Sequence, residues 1–450
     1  MGRLFGTDGI RGRADEYPLK AESVYRIGRA VALFFGDTAV KTNIIIGKDT
    51  RQSGGMIEDA LVAGICSVGV DVCQTGILPT PAVAYLTSST DAAAGIVISA
   101  SHNPFYDNGI KIFDADGYKL SDSKEDAIER LLTRDNKDHA ASKSNQRIGS
   151  AKTLKDAPER YRSFLQNTLA DAHLFNGMKI VIDCSNGATY AVAPELFRDL
   201  GAQVEAINIS PNGKNINAGC GSEHPESLID KVLAEKADIG LAFDGDGDRL
   251  VAVDEKGQVI SGDRTLVICA HALKRKGLLK NNLVVSTVMS NLGLRLALKE
   301  LGISHLMAQV GDRYVLEQMN ANGAVIGGED SGHMIFLDQH TTGDGMLTAI
   351  QLLQAMQEEN KPLSELSRVM DVFPQVLLNI EVRDKPQIES IPEIMDAIRS
   401  VETVLGEKGR VLVRYSGTQP LCRVMVEGSD KDETRRYCQK IADVVKATLG

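Results

Sequence analysis

Short apolar runs alternate with longer stretches whose apolar residues recur every three to four positions, the pattern of strands and helices taken in turn. Residues 43–47 (NIIIG) predict a buried strand, and a helix follows near 55–68. Residues 92–99 predict another buried strand, ending in the polar loop 99–108. The pattern restarts at 179–183 (KIVID), with a turn at 185–187, a helix through Leu200, and a strand at 239–243 running into Asp244. A third round has strands at 283–288 and 324–326, a turn at 290–293 and a helix at 345–358. Such alternation suggests parallel α/β layers. After Pro374 the texture changes to a strand at 375–382, a helix at 392–405, strands at 410–415 and 421–427, and a last helix. That order suits a small α+β domain.

The fold expected is therefore α/β: three similar mixed α/β sandwich domains (1–150, 151–252 and 253–371) plus a smaller C-terminal α+β domain (372–450). The polar stretch 133–149 reads as the first connection. The length of 450 residues agrees with roughly three or more domains at ~150 residues each.

Composition narrows the function. With 43% hydrophobic and 24% charged residues the chain reads as a soluble globular enzyme. Its formal charge of −10 argues against a surface that lives on nucleic acid or anionic lipid, so an anionic ligand needs a local basic pocket. Aromatics at 5%, with no tryptophan, argue against base-stacking platforms. The 7 cysteines form no CxxC pair and read as buried thiols in a reducing compartment. No apolar signal core opens the chain and no run approaches the ~20 residues of a membrane helix, so a cytoplasmic location is expected.

Four loops carry chemistry. Asp244, Asp246 and Asp248 alternate with glycines at the end of a buried strand and can converge on one hard divalent cation, Mg²⁺ by preference. The spacing also resembles an EF-hand, but Arg249 stands where that loop needs glycine, and a strand resumes at Leu250. Ser99-Ala100-Ser101-His102-Asn103-Pro104 follows the strand before it, where open α/β sheets place reactive crevices. A serine there, with His102 adjacent and Lys111 downstream, is a candidate nucleophile or phosphate carrier. In residues 327–333 (GGEDSGH), paired glycines admit a ligand while Glu329 and Ser331 offer groups for hydroxyls. The last loop, 414–420 (RYSGTQP), has Arg423 behind it and no acidic residue between Lys408 and Val426, a plausible phosphate cradle. Metal triad, serine, hydroxyl reader and anion cradle together suit phosphoryl transfer on a phosphosugar. No Walker A, kinase glycine loop or GxGxxG fingerprint is present, so nucleotide use is not indicated.

In order and across essentially the whole chain, these loops resemble the signature loops of the α-D-phosphohexomutase superfamily. The opening 5–12 (FGTDGIRG) and the run 340–345 (HTTGDG) are most similar to its bacterial glucosamine-phosphate branch. The resemblance implies that Ser101 is a phosphoserine whose phosphate ligates one Mg²⁺ alongside Asp244, Asp246 and Asp248. It implies that Arg11, Lys111 and His102 surround the transferring phosphoryl group, and that Arg249 is an active-site arginine. Glu329 and Ser331 would grip sugar hydroxyls with His333 in the same loop. Arg414, Ser416, Gly417 and Thr418, with Arg423, would hold the non-reacting phosphate. The implied reaction interconverts glucosamine 6-phosphate and glucosamine 1-phosphate through a 1,6-bisphosphate, with a hexose 1,6-bisphosphate as activator and the four domains arranged around a central cleft. The partner implied is a small phosphosugar, with no nucleic acid or membrane, and a homodimer is the assembly to test. Tyr415 and Gln419 depart from the Pro and Glu common in the cradle, and Asp330 stands where Gln is common in that branch. Alternatives are a phosphomannomutase/phosphoglucomutase, a metal-dependent phosphatase with an Asp244 or Asp246 nucleophile, and a non-catalytic sensor of sugar phosphates.

Overall fold

The computed structural model describes residues 4–6, 8–36, 43–135, 147–171, 173–416 and 420–450. The first sheet comprises β1 (Ile10–Arg13), β2 (Asn43–Lys48), β3 (Asp71–Ile77), β4 (Ala92–Ile98), β5 (Asp107–Asp114) and β6 (Ala151–Thr153), ordered β1-β5-β4-β2-β3-β6. Every residue of β4 is buried, which explains its unbroken apolar run. One face (Ile44, Ile46, Ala94, Ile96, Ile98) joins the core under helices Ala21–Gly36 and Gly54–Cys66. On the other, Gly47 and Gly95 leave room for Val83 and Thr87 of helix Thr80–Ser88.

The second sheet comprises β7 (Lys179–Asp183), β8 (Gln203–Ile207), β9 (Ile239–Phe243), β10 (Leu250–Asp254) and β11 (Val259–Ile260), ordered β11-β10-β9-β7-β8. The third comprises β12 (Leu283–Thr287), β13 (Ser304–Ala308), β14 (Ile326–Gly328) and β15 (Met334–Phe336), ordered β13-β12-β14-β15. The fourth, wholly antiparallel, has β16 (Gln375–Glu381), β17 (Arg410–Tyr415) and β18 (Leu421–Glu427), ordered β16-β18-β17. Helices Pro392–Leu405 and Lys431–Leu449 supply the other half of its core. The chain forms two compact units, Met1–Val288 with Leu306–Ser367, and Met289–His305 with Arg368–Gly450. Among the described residues no helix is long and apolar enough to cross a membrane.

The layers are not purely parallel. β4–β5, β9–β10 and β14–β15 pair antiparallel, because connections of five to eight residues are too short for a crossover helix. Each of those connections is a chemistry-bearing loop, and so is the link between antiparallel β17 and β18. The sites thus sit on hairpins anchored by two buried strands. Other boundaries also differ from expectation. Only Ala193–Asp199 of the helix expected to end at Leu200 is α-helical, because the chain first turns through left-handed Ser185 and Asn186. The glycine pair 327–328 lies inside β14. Most of the polar connection 133–149 lies outside the described residues.

Candidate active site

Ser101 is the first residue after β4 and Ala100 to leave extended backbone, and it does so at φ 53°. A left-handed serine costs of order 1 kcal/mol and persists only where its surroundings over-determine it. Here they do. The Ser101 N–H donates to Ser99 Oγ (2.9 Å), and Ser99 Oγ donates to Asp49 Oδ2 (2.6 Å). Asp49 pairs with Arg51 Nε (2.8 Å), both side chains fully buried. The Arg51 guanidinium then donates to the carbonyls of Ser101 (2.9 Å), Asn103 (2.8 Å) and Asp107 (3.0 Å), and to that of Pro104. Asn217 Nδ2 adds bonds to the carbonyls of Ser101 (2.9 Å) and Asn103 (3.1 Å). The serine loop is therefore held by buried Asp49 and Arg51, just after β2, and by Asn217 from the segment after β8.

The Ser101 hydroxyl donates to Asp244 Oδ2 at 2.5 Å, and His102 Nδ1 stands 3.4 Å from Ser101 Oγ. Burial and the Arg249 charge push the His102 pKa down, so its imidazole is neutral near pH 7 and can accept a proton. Asp244, Asp246 and Asp248 are buried with carboxylate oxygens within 4.8 Å of one another. Lys111 Nζ binds Asp246 Oδ2 (2.8 Å) and Asp248 Oδ2 (3.2 Å), and Thr80 Oγ1 also donates to Asp246 Oδ2 (2.6 Å). That leaves Asp246 Oδ1 and Asp248 Oδ1 buried without a hydrogen-bond partner. Two orphaned anionic oxygens beside a third carboxylate, an all-oxygen set, fit a hard divalent cation. Burial, with Asp248 and Asp246 nearby, pushes the Asp244 carboxyl well above its usual range, a penalty that a cation would relieve.

A closed circuit of alternating charge surrounds the triad. Lys111 also reaches Asp8 (3.2 Å), Asp8 pairs with Lys119 (2.6 Å), and Lys119 pairs with Asp312. Asp312 Oδ2 lies 3.6 Å from His333 Nε2, and His333 Nδ1 lies 3.7 Å from Asp248 Oδ2. Burial opposes charge on Lys111, but Asp246, Asp248 and Asp8 outweigh it and hold the ammonium well above its usual pKa. Burial likewise opposes charge on His333, yet Asp248 and Asp312 raise it.

Most residues expected from the sequence converge here. Ser101, His102, Lys111, Arg249, His333 and the triad share one region of the first unit. The Arg249 backbone N–H donates to Asp244 Oδ1 at 3.2 Å. Arg11 pairs with Asp8 at 2.5 Å, one step removed from Lys111. Glu329 Oε1 accepts the Gly311 N–H (3.0 Å), and Ser331 Oγ is buried without a partner. Asp330 Oδ1 accepts the Asp263 N–H (3.2 Å), tying the β14–β15 hairpin to helix Gly262–Arg275.

In the second unit, Arg414 and Arg423 face each other across β17 and β18, and Ser416 is buried beside them. Burial and Arg423 press the Arg414 pKa down, as expected where an anion would be welcome. Lys385 Nζ binds the Ser416 carbonyl at 2.6 Å, a cradle support the sequence did not reveal. Arg410, at the start of β17, is engaged by buried Glu427 at 2.5 Å. Gly417, Thr418 and Gln419, and Thr7 of the opening motif, lie outside the described residues.

Sequence reasoning missed Asp49, Arg51, Thr80, Lys119, Asn217 and Asp312. The Asp49-Thr50-Arg51 run was detectable, since charged residues directly after a buried strand sit at the reactive end of the sheet. The others become relevant only through tertiary contact.

Models of the phosphoglucomutase/phosphomannomutase α/β/α domains I, II and III match residues 2–139, 159–257 and 261–373, and the C-terminal domain model matches 377–444. The chain belongs to the phosphoglucomutase/phosphomannomutase family. Proteins named phosphoglucosamine mutase from Syntrophus aciditrophicus (strain SB) and Pelobacter propionicus (strain DSM 2379 / NBRC 103807 / OttBd1) are 57% and 52% identical to this phosphohexomutase. The first alignment spans 100% of both chains, and the second 100% of this chain and 99% of that protein. A phosphoglucomutase/phosphomannomutase family protein from Burkholderia thailandensis, 25% identical, superposes with a TM-score of 0.81 over 100% of this chain and 98% of its own. The N-acetylphosphoglucosamine mutase of Aspergillus fumigatus, solved with GlcNAc-6P and magnesium, shares the fold at 17% identity and a TM-score of 0.71, over 99% of this chain and 96% of its own.

Proposed function

We propose that this phosphohexomutase is a phosphoglucosamine mutase, interconverting glucosamine 6-phosphate and glucosamine 1-phosphate. The observation that carries the chemistry is the Ser101 hydroxyl, fixed on left-handed backbone 2.5 Å from a triad with free buried oxygens. Relatives 50–57% identical over the whole chain, all named phosphoglucosamine mutase, support the amino sugar.

In the forward direction phospho-Ser101 gives its phosphoryl group to O1 of glucosamine 6-phosphate. The Oγ–P bond breaks, the O1–P bond forms, the O1 proton leaves to a base, and Ser101 Oγ takes up a proton. Neutral His102, 3.4 Å from Oγ, is placed to hold a proton at Nδ1. The resulting 1,6-bisphosphate turns end for end. The Ser101 hydroxyl then gives up its proton as Oγ takes the 6-phosphoryl, the P–O6 bond breaks, O6 gains a proton, and glucosamine 1-phosphate leaves. Arg414, Ser416, Gly417 and Thr418, with Arg423, would hold whichever phosphate is not reacting. Glu329 and Ser331 would read the sugar hydroxyls, with His333 in the same loop. Asp244, Asp246, Asp248 and the Ser101 phosphate would hold Mg²⁺, which when bound neutralises charge developing on the transferring group. Lys111, Arg11 and Arg249 add fixed positive charge around the same oxygens. A hexose 1,6-bisphosphate would prime unphosphorylated Ser101. The free thiols of all seven cysteines suit a reducing cytoplasm.

The test is a ³¹P NMR time course with glucosamine 6-phosphate, Mg²⁺ and a trace of glucose 1,6-bisphosphate. Growth of an anomeric phosphate signal at constant total ester is expected. Steady release of inorganic phosphate would indicate hydrolysis instead, and faster turnover of mannose 6-phosphate would overturn the amino-sugar assignment.

A further inference from the structure

Residues 340–345 mark the lineage in the sequence, yet the reaction above uses none of them. In the structure they form a strut beneath the reacting centre. His340 Nδ1 accepts the Thr341 N–H (2.8 Å), so the ring proton sits on Nε2 and is donated to the Pro81 carbonyl (3.0 Å). Burial pushes its pKa down to about 4, which keeps that neutral tautomer in place. Pro81 lies in the first turn of the helix whose Thr80 N–H donates to the Asp246 carbonyl (2.8 Å). Thr341 Oγ1 donates to the Gly117 carbonyl (2.7 Å). Asp344 caps helix Gly345–Glu359 through the N–H groups of Met346 and Leu347 (both 3.0 Å), and its other oxygen accepts the Tyr161 hydroxyl (2.7 Å). The Gly345 N–H donates to the Gly247 carbonyl inside the metal loop (3.0 Å).

Gly343 completes the strut by lying flat against the His333 imidazole. A Cβ at Gly343 would overlap ring atoms Nε2, Cε1 and Cδ2. The ring has little room to yield, because it is buried with Asp248 near one nitrogen and Asp312 near the other. Gly343 is not in the left-handed region, so alanine brings no positive-φ strain and the added methyl is the main perturbation.

We propose that Gly343 is a positioning residue: its missing side chain lets the strut press His333 into the slot between Asp248 and Asp312 and so fixes the imidazole against the metal loop. The prediction concerns geometry and rests on the mutase reading only for its rate assay. A displacement of about 1 Å near a reacting centre costs on the order of 10²-fold in rate. Gly343→Ala is therefore expected to lower kcat about 10²-fold with KM within about threefold. Added to His333→Ala, the same substitution is expected to change kcat less than about twofold, since the ring it displaces is gone. Independently of turnover, the imidazole ¹⁵N resonances that disappear in His333→Ala are expected to shift in Gly343→Ala. Unmoved His333 resonances, or equal rate losses in both backgrounds, would overturn the proposal. Should Gly343→Ala fail to fold, the double variant is expected to fold, and its failure would also overturn it. If the wild-type protein shows no mutase turnover, the functional reading falls while the imidazole spectra still decide the role of Gly343.

Discussion

Lys111→Met removes the cation around which the carboxylates of the site are organised. The ammonium is 1% exposed, 2.8 Å from Asp246 and 3.2 Å from both Asp248 and Asp8. At an effective dielectric near 20, those distances correspond to attractions of about 6 kcal/mol for the first and about 5 kcal/mol for each of the others. Desolvation of the ammonium cancels most of that gross attraction. Deleting one partner of a buried pair costs about 3–5 kcal/mol, because the charges left behind are uncompensated. Methionine keeps the stem out to Cε and drops only the ammonium, so the loss is mainly electrostatic. Because Lys111 and a divalent cation neutralise the same carboxylates, the variant should bind Mg²⁺ more tightly than wild type. Saturation at ~100 times Kd adds about 2.7 kcal/mol by mass action, and a tenfold tighter Kd adds a further ~1.4 kcal/mol at the same concentration. Urea unfolding followed by circular dichroism, in EDTA and in millimolar Mg²⁺, measures both effects. The expected result is a variant several kcal/mol weaker in EDTA that recovers part of the deficit in Mg²⁺, with turnover still reduced at least ~10²-fold. Equal stability in EDTA, or equal magnesium stabilisation of both proteins, would refute the reasoning.

Ser101→Ala loses the carrier oxygen and should lower mutase turnover at least ~10²-fold, with no phosphorylated species in the intact mass spectrum; an active variant would point to a different nucleophile. Arg51→Lys cannot span Asp49 and the four carbonyls that the guanidinium reaches, so kcat should fall about 10-fold or more with the serine loop loosened, read as faster amide exchange over residues 101–107. Burial pushes the Asp344 carboxyl up to about 6 from an ordinary 3.8. A raised carboxyl makes the folded state hold its proton longer, so its contribution is complete below about pH 4 and is lost as pH climbs through about 6. Asp344→Asn, an equally good helix cap, should flatten that decline in a pH series of urea midpoints.

How far the sequence can be read depends on whether a residue's partners are its neighbours in the chain. The Asp244–Asp248 loop is legible because alternate carboxylates after a buried strand have few structural uses. Ser101 is legible through its place at the end of β4, but its left-handed backbone is not, since that is imposed by Ser99, Asp49, Arg51 and Asn217 together. Lys119 and Asp312 are 193 positions apart, and no local pattern announces their pairing. The strand runs were read well where burial on both faces makes them continuously apolar, as in β4 and β9. Their pairing directions were not, because the short hairpin connections were read as loops after parallel strands.

Charge ties these observations together. Three carboxylates in one buried loop repel one another, and the raised Asp244 carboxyl records that cost. Burial alone favours neutralising them by protonation, and Lys111 or a bound divalent cation can each oppose it. Lys111 keeps Asp248 well below its usual range against the push of burial, with His333 and Arg249 assisting. Asp8 in turn helps hold Lys111 and Lys119 charged, and Asp248 and Asp312 raise the His333 pKa against the push of burial. The circuit thus lets a chain of net charge −10 hold buried carboxylates beside fixed cations, the arrangement that the proposed phosphoryl transfer calls for. Neutralising any one member should therefore be felt at the others. In double-variant cycles, Lys119→Met and Asp312→Asn should each reduce turnover, and the pair together should cost little more than the worse of the two. Strictly additive losses would mean that the two act separately, and that the charges form independent pairs rather than a circuit.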